Sequence, residues 1–261
     1  MNTTQWELAL FAQNDLKLTS RFTLMYGMRN ENQTNINDHN NVDARLGFAY
    51  ALGRATVIRG GSGIFHQRYS ITSVENQTRL NGVQQYEIVI DNPSFPDPFQ
   101  SGTVRNTPAS IRVTDPEMAN PYTFASMISY ERTLLTNLFF STTFDLTRDI
   151  HRIRTRNANA PRDITASTPK SCSPGQIKAT CVRPDPSKGN VLNLETTAAE
   201  TDKTLRITLR DRFSIFNVSA NYALVSAWAS AQGGGNVGTG DTRAGFTADG
   251  LGSDAYDLKA D

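Results

Sequence analysis

Two cysteines, Cys172 and Cys181, are the residues whose type and spacing most clearly suggest chemistry. They lie nine positions apart in the segment SCSPGQIKATC, where Pro174 and Gly175 favour a turn. Two cysteines in one loop that is exposed to an oxidising environment predict a disulfide. A metal site is the alternative, but it needs two further ligands, and His151 is the only histidine nearby. The pattern therefore favours a disulfide.

The other residues capable of chemistry fit ordinary structural roles. The three histidines, at 39, 66 and 151, show neither HxxxH nor HExxH spacing. The GGSG segment at 60–63 lacks the Lys-Ser/Thr of a phosphate-binding loop and the GxSxG of a nucleophile elbow, so we expect a bulge or bend there. Aspartates in the Gly-rich segment lack EF-hand spacing; they are Asp241, Asp249, Asp254 and Asp257. We expect no enzyme activity, no cofactor and no metal site.

Composition narrows the class of protein further. The chain has 261 residues, a net charge of +1 and a mean hydropathy of −0.43, with 38% hydrophobic and 9% aromatic residues. A near-neutral charge gives no support for nucleic-acid binding, which normally requires a basic surface. No apolar run approaches the roughly 18 residues of a transmembrane helix. The N-terminus, MNTTQWELALFAQND, does not have the pattern of a signal peptide.

Alternation of apolar and polar residues with a period of two dominates the chain, and this period is typical of β-strands with two different faces. In one example, Leu24, Tyr26 and Met28 alternate with Thr23, Gly27 and Arg29. The alternation predicts eight strands, at about 4–13, 16–29, 42–51, 56–66, 122–132, 138–148, 203–210 and 213–225.

The connections between these strands alternate between short and long. Short turns are predicted at Asn14-Asp15, Leu52 to Ala55, Thr133 to Asn137 and Asp211-Arg212. Long connections follow at 30–41, 67–121, 149–202 and from 226 onward. Long loops without clear elements are unusual in compact domains but expected in outer-membrane barrels. The pattern predicts an all-β fold, an antiparallel transmembrane β-barrel segment with short periplasmic turns and long extracellular loops. A soluble β-sandwich is the alternative, although its strands are usually shorter.

A barrel places alternate residues against lipid and against a polar lumen. The residues predicted to face lipid are Phe22, Leu24, Tyr26, Leu46, Phe48, Leu138, Phe140, Phe216, Val218 and Tyr222. The residues predicted to line the lumen are Arg21, Arg29, Arg45, Glu131, Asp145, Arg206 and Arg210.

Several segments, taken in order, resemble the Oar-like branch of TonB-dependent outer-membrane receptors, which is abundant in acidobacteria. They include FAQNDLKLTSRFTLMYGMRNENQT (11–34), ARLGFAYAL (44–52), TVIRGGSGIFHQRYS (56–70), DNPSFPDPF (91–99), NPYTFASMISYERTLLTNLFFSTTFDLTRDIHRIRTRNANAP (120–161) and DAYDLKAD (254–261). The resemblance implies a barrel of about 22 strands with a plug domain. It also implies energised passage of a ligand, with TonB as the inner-membrane partner.

The chain departs from this family in what it lacks, because we find no plug, no TonB box and no closing strand with a terminal aromatic residue. Residues 254–261 look like the start of a ninth strand. We therefore expect residues 1–261 to form a partial barrel domain that does not close, with plug and C-terminal strands absent.

The resemblance implies a role in passing a ligand across the bacterial outer membrane. The expected partners are outer-membrane lipid, the TonB complex acting through the missing plug region and an unknown small ligand, with no nucleic acid. One alternative is a structural or adhesive surface β protein that binds partners through its long loops. Another is a soluble carbohydrate-binding sandwich.

Overall fold

The strands and one helix are defined by a computed structural model, which describes residues 3–79, 81, 83, 89–105, 110–134, 137–166, 172, 179–213 and 216–229. The elements in chain order are β1 Glu7–Lys17, β2 Phe22–Gln33, β3 Val42–Gly53, β4 Thr56–His66, α1 Ile71–Arg79, β5 Val89–Asp91, β6 Thr103–Arg105, β7 Ile111–Thr114, β8 Tyr122–Thr133, β9 Leu138–Asn157, β10 Arg162–Asp163, β11 Cys181–Val182, β12 Val191–Phe213 and β13 Phe216–Ala229.

The eight long strands form one antiparallel sheet in the order β1-β2-β3-β4-β8-β9-β12-β13, and β7 pairs with the start of β12 in parallel. Strands β1 and β13 are the two edges, and within the described residues no ladder joins them. Two-stranded ribbons, β5-β6 and β10-β11, lie in the long connections. The predicted all-β antiparallel sheet of about eight strands, not closed, is confirmed.

Consecutive antiparallel pairing places short and long connections at opposite ends of the strands. We call one end the short-turn edge, which has the connections 18–21, 54–55, 134–137 and 214–215. The other is the long-loop edge, which has the connections 34–41, 67–121 and 158–190. The segment from 230 onward, including the predicted ninth strand start at 254–261, lies outside the described residues.

The register gives the sheet two chemically different faces. One row of cross-strand partners runs through all eight strands and consists of Leu16, Leu24, Phe48, Gly60, Ile128, Phe144, Leu205 and Leu224. We call the face with this row the apolar face. The adjacent row on the opposite face, the polar face, consists of Asp15, Met25, Gly47, Gly61, Met127, Asp145, Thr204 and Val225.

The first turn lies at 18–21, which corrects the prediction of a turn at Asn14-Asp15. Asn14 and Asp15 continue β1 because they pair with Tyr26 and Met25, and the Asn14 side chain donates to the Tyr26 hydroxyl at 3.1 Å. Thr19 closes the actual turn by accepting from the backbone N–H groups of residues 21 and 22. The predicted strands 4–13 and 16–29 are therefore shifted to Glu7–Lys17 and Phe22–Gln33.

Two other predicted boundaries also change. Asp211 and Arg212 were expected to form a turn, but they pair with Val218 and Asn217, so β12 continues to Phe213. Strands β9 and β12 also extend well beyond the predicted 138–148 and 203–210 at the long-loop edge. The added residues of β9 include Arg152, Arg154 and Arg156, and these arginines form cross-strand ion pairs with Glu195 and Glu200 of β12.

The long connections contain structure that the sequence did not predict. Helix α1, strand β7 and the two ribbons all lie within them. A small hydrophobic cluster packs at the long-loop edge and consists of Ile36, Tyr69, Met118 and Leu194, with Val74 and Ile153 against it. Burial in this cluster raises the pKa of the Tyr69 phenol to about 12. Because its members come from two connections, 34–41 and 67–121, and from β9 and β12, the cluster ties the loops to the sheet.

The glycines at 60–63 do not form the predicted bulge. Residues 58–63 pair in regular register with both β3 and β8. Gly60 instead makes room for the aromatic ring of its cross-strand partner Phe48, since a Cβ at Gly60 would collide with that ring. The glycines here therefore control which side chains fill each face, and the strand stays regular.

Candidate functional site

The polar face has the features of a wetted wall. Its charges form cross-strand pairs: Arg59 Nε lies 3.2 Å from Glu131 Oε1, and Arg206 Nη1 lies 3.6 Å from Asp145 Oδ2. Paired charges of both signs suit contact with water and polar solutes far better than contact with lipid. This face is therefore the candidate functional surface.

Most residues predicted to line a lumen lie on the polar face. By alternation and register these are Arg29, Arg45, Glu131, Asp145, Arg206 and Arg210. Arg21 is the exception, because it lies in the turn between β1 and β2 and is exposed there. It is not part of either face, which corrects its prediction.

The residues predicted to face lipid share the apolar face. They are Phe22, Leu24, Tyr26, Leu46, Phe48, Leu138, Phe140, Phe216, Val218 and Tyr222. Several are strongly exposed in this chain, including Phe216 at 66% and Tyr222 at 60%. Exposed apolar side chains on one face of every long strand are typical of a surface that contacts lipid or another apolar partner.

A cavity of about 560 Å³ opens on the polar face, across β1, β2, β3, β4, β8 and β9. Its floor is the cross-strand pair Gly47 and Gly61, and the methionines Met25 and Met127 flank that pair in the same row. The floor is open at Gly61, where a Cβ would meet only backbone atoms, and it is partly covered at Gly47 by the adaptable Met25 side chain, whose Cε would lie 3.1 Å from a Cβ there.

The rim of this cavity combines apolar and charged groups. The Arg45 guanidinium lies over the Phe65 ring at 4.7 Å from its centroid, and Asp145 lines the opposite side. A Cβ at Gly61 would meet only ordinary contacts, the nearest being Leu46 O at 3.5 Å. A larger side chain at position 61 would therefore enter the cavity without displacing the backbone. By volume, the cavity falls in the range of small-molecule sites.

At the long-loop edge, β9 and β12 are joined by a buried carboxylate. The Glu195 side chain is 2% exposed and accepts hydrogen bonds from Thr197 Oγ1 at 2.7 Å, Arg154 Nε at 3.0 Å and Arg156 Nε at 2.9 Å. Burial disfavours its charged form, but the bonds from Thr197 and Arg156 and the charges of both arginines outweigh burial and hold the pKa of Glu195 below its usual range. This cluster lies outside the expected membrane-spanning segments.

Glu195→Gln is expected to weaken the long-loop edge by roughly 2 kcal/mol, because a charge-assisted set of bonds is lost and the arginines remain partly buried. In the parent, this stabilisation is present above the ordinary pKa of glutamate and is lost as the pH falls through the lowered pKa. The free energy of opening, measured by amide hydrogen exchange in β9 and β12, tests both statements.

The matched control is Glu117→Gln, which alters an exposed glutamate in a loop. Its stability should stay within experimental error of the parent. Equal losses for both variants, or a Glu195→Gln protein that keeps the acid dependence of the parent, would contradict the role assigned to this cluster.

Cys172 and Cys181 are joined by a disulfide in the connection between β9 and β12. Among the described residues, no group of three or more His, Cys, Asp or Glu side chains is placed to hold a metal ion. The described helix is not long and apolar enough to span a membrane.

Sequence reasoning missed the glycine-floored cavity and the Glu195 cluster. A signal for each was present. Gly47 and Gly61 occupy positions of the polar set in their alternating strands. In the RIRTR segment, arginines alternate at 152, 154 and 156, as expected for one face of a strand.

A family model described as an outer membrane beta barrel domain matches residues 32–261. The chain belongs to this family. Its location is accordingly the bacterial outer membrane. A comparison with curated proteins found no significant match.

Solved outer-membrane receptors share the fold of this barrel domain at low sequence identity. The outer membrane transporter YddB from Escherichia coli aligns with a TM-score of 0.59 at 7% identity, over 86% of this chain and 25% of that chain. The siderophore receptor PirA from Pseudomonas aeruginosa aligns with a TM-score of 0.53 at 13% identity, over 85% and 34%. A mutant ferric enterobactin receptor from the same organism, in complex with enterobactin, aligns with a TM-score of 0.52 at 12% identity. This alignment covers 84% of this chain and 27% of that chain. The chain therefore spans about a quarter to a third of these receptors.

Proposed function

We propose that this chain forms part of the wall of an outer-membrane receptor barrel through which a small ligand is taken up. The observation that carries the proposal is the sheet with one continuous apolar face and one polar face, the latter with a cavity of about 560 Å³. In this arrangement the apolar face contacts lipid and the polar face lines the lumen.

The finer assignment is to the Oar-like branch of TonB-dependent receptors. The order of the resembling segments supports it, as does the fold shared with siderophore receptors. In a receptor of this kind, the TonB complex acts through a plug region, and the chain described here contributes walls and loops. We propose no catalytic step, since the polar face offers paired charges and glycines in place of a nucleophile with its base.

The proposal predicts that filling the cavity obstructs passage. Gly61→Phe places a ring over the cavity floor, where a new side chain has room to enter. Uptake of radiolabelled ferric siderophores, with ferric enterobactin as the first probe, is expected to fall by about tenfold, which corresponds to a barrier increase of roughly 1.4 kcal/mol.

The control is Gly53→Phe at the short-turn edge, where a Cβ would meet no atom of the described chain within 4 Å. Its uptake should match that of the parent at equal protein levels in the outer membrane. Equal uptake by all three proteins would contradict passage along this wall and would favour the alternative, a surface protein that binds partners through its long loops.

A further inference from the structure

The short-turn edge has an excess of positive charge. Its four connections, together with the two strand residues on either side of each, contain five cations and no carboxylate. We call these cations the basic rim, and they are Lys17, Arg21, Arg54, Arg132 and Arg212. All five residues are exposed.

The cations of the basic rim lack partners, in contrast to arginines at the opposite edge. At the long-loop edge, Arg68 is paired with Glu7, and Arg154 and Arg156 are paired with Glu195. Within the described part of the chain, no ion pair or side-chain hydrogen bond is found for any cation of the basic rim. Five exposed charges at one edge are therefore available to anions from outside the chain.

The nearest carboxylates along the strands do not neutralise the basic rim. Glu131 is already bound to Arg59, whose Nε lies 3.2 Å from Glu131 Oε1. Asp15 and Asp211 lie one position further into their strands, and neither forms an ion pair with the rim among the described residues. Even with both counted, five positive charges stand against two negative charges.

A row of large side chains on the apolar face lies directly inside the basic rim. Phe22, Tyr50, Ile58 and Tyr130 are successive cross-strand partners in this row. The rings of Phe22 and Tyr50 are in contact, with their centroids 6.1 Å apart. Aromatic side chains on the lipid face of a barrel are enriched where the membrane meets water. In the proposed barrel wall, this row therefore marks the depth of the lipid headgroups.

Arg132 lies just outside this row and on the same face. It follows Tyr130 by two residues in β8, so both side chains leave the sheet on the apolar side. Its Cα is about 7 Å further from the centre of the sheet, since a strand rises roughly 3.4 Å per residue. A long arginine side chain at this depth keeps its stem against apolar surface and its guanidinium among the headgroups.

Backbone hydrogen bonds align two more arginines with Arg132 along the edge. The Thr133 N–H donates to the Ala55 carbonyl at 2.9 Å, which holds the turn that contains Arg54 beside the end of β8. The Ala51 N–H donates to the Arg21 carbonyl at 2.8 Å, which holds Arg21 beside β3. Because neighbouring strands are about 4.8 Å apart, the three arginines form a short row along the membrane boundary.

Unpaired guanidinium groups at headgroup depth fit one chemical partner well. A guanidinium forms paired, charge-assisted hydrogen bonds with phosphate oxygens, and clusters of basic residues beside a membrane attract anionic lipids. We propose that the basic rim binds the phosphate groups of anionic phospholipids in the leaflet at the short-turn edge. This site rests on the proposed barrel wall, because the apolar face must contact lipid, and it adds a preference for one class of lipid.

The test uses the complete receptor barrel that contains this chain, reconstituted into phosphatidylcholine vesicles. Leu52→Trp places a fluorescent reporter on the exposed apolar face, two residues before Arg54. Its emission, after subtraction of the emission of the receptor without this substitution, is quenched by phospholipids with brominated acyl chains. Brominated phosphatidylglycerol is expected to quench more strongly than brominated phosphatidylcholine at equal mole fraction. The difference should shrink as salt screens the charges.

The variant combines Arg54→Gln with Arg132→Gln, because described strands lie on both sides of these two positions. Preference for phosphatidylglycerol is expected to fall by about fivefold for each charge removed. Arg54→Lys combined with Arg132→Lys keeps both charges and should retain most of the preference. Lys188→Gln, which removes a cation already paired with Asp185 in a long loop, should match the parent.

Equal quenching by the two brominated lipids in the parent would overturn the proposal and would leave the basic rim to an acidic protein segment. Equal preference in the parent and the double glutamine variant would also overturn it, as would equal losses in the double glutamine and double lysine variants. An excess of inorganic phosphate at constant ionic strength should leave the preference intact, since free phosphate has no acyl chain in the bilayer, and displacement by phosphate would contradict binding of lipid. Failure of the passage role is distinguishable, because intact lipid preference without siderophore uptake contradicts only passage.

Discussion

Expressed on its own, the 261-residue chain is expected to fail to insert into phospholipid vesicles as a closed, heat-modifiable monomer. Strands β1 and β13 are the edges of the sheet, and the described ladders leave their outward N–H and C=O groups without strand partners. Each unsatisfied backbone group costs several kcal/mol in hydrocarbon. Two exposed edges therefore outweigh the gain from burying the apolar face in lipid, and aggregation through these edges is the expected result.

Insertion as a closed monomer is measured by gel migration with and without boiling after refolding into vesicles. Protection from added protease measures it a second time. A complete outer-membrane receptor refolded in the same vesicles is the control and should give the faster-migrating, protected form. If the isolated chain also migrates as a protected monomer, or if a ladder between β1 and β13 is detected by hydrogen exchange, the open-sheet description is incorrect.

The faces of the sheet were predictable from sequence because strand side chains alternate strictly. Once Leu24 and Phe48 are assigned to one face, a period of two places Arg29 and Arg45 on the other. The alternation of short and long connections was predictable for a related reason. Antiparallel neighbours joined in sequence return to the same edge at every second connection.

The strand ends were harder to predict, because pairing partners determine them more strongly than local composition. Asn14 and Asp15 are typical turn residues, yet the neighbouring strand offers each a partner, so β1 continues through them. The outer half of β9, which is rich in arginine, was predicted to belong to the long connection 149–202. Glu195 on β12 compensates Arg154 and Arg156, and no local pattern reveals a partner about 40 positions away.

The cavities depend on three-dimensional register in the same way. Gly47 and Gly61 are separated by the β3-β4 turn, and only the register places them side by side. A smaller cavity, of about 150 Å³, draws on residues from Glu7 to Asn120. A single sequence contains these residues but gives no indication of which ones meet, since tertiary pairing decides it.

In the proposed barrel wall, one face of the sheet contacts lipid and the other lines a polar lumen. Phe144 lies in the apolar row, between Ile128 and Leu205 on the neighbouring strands. Phe144→Arg in the membrane-embedded protein should lower the free energy of unfolding by roughly 2 to 4 kcal/mol, because arginine near the bilayer midplane is poorly solvated. Thr147 lies on the polar face of the same strand, between Ala125 and Asp202. Thr147→Arg should be nearly neutral there.

The measurement is denaturant-induced unfolding in phospholipid vesicles of the complete receptor barrel whose wall this chain is proposed to form, with and without each substitution. We expect a large loss for Phe144→Arg and a small change for Thr147→Arg. Equal losses at the two positions, or a larger loss at Thr147, would contradict the assignment of the faces and with it the barrel wall.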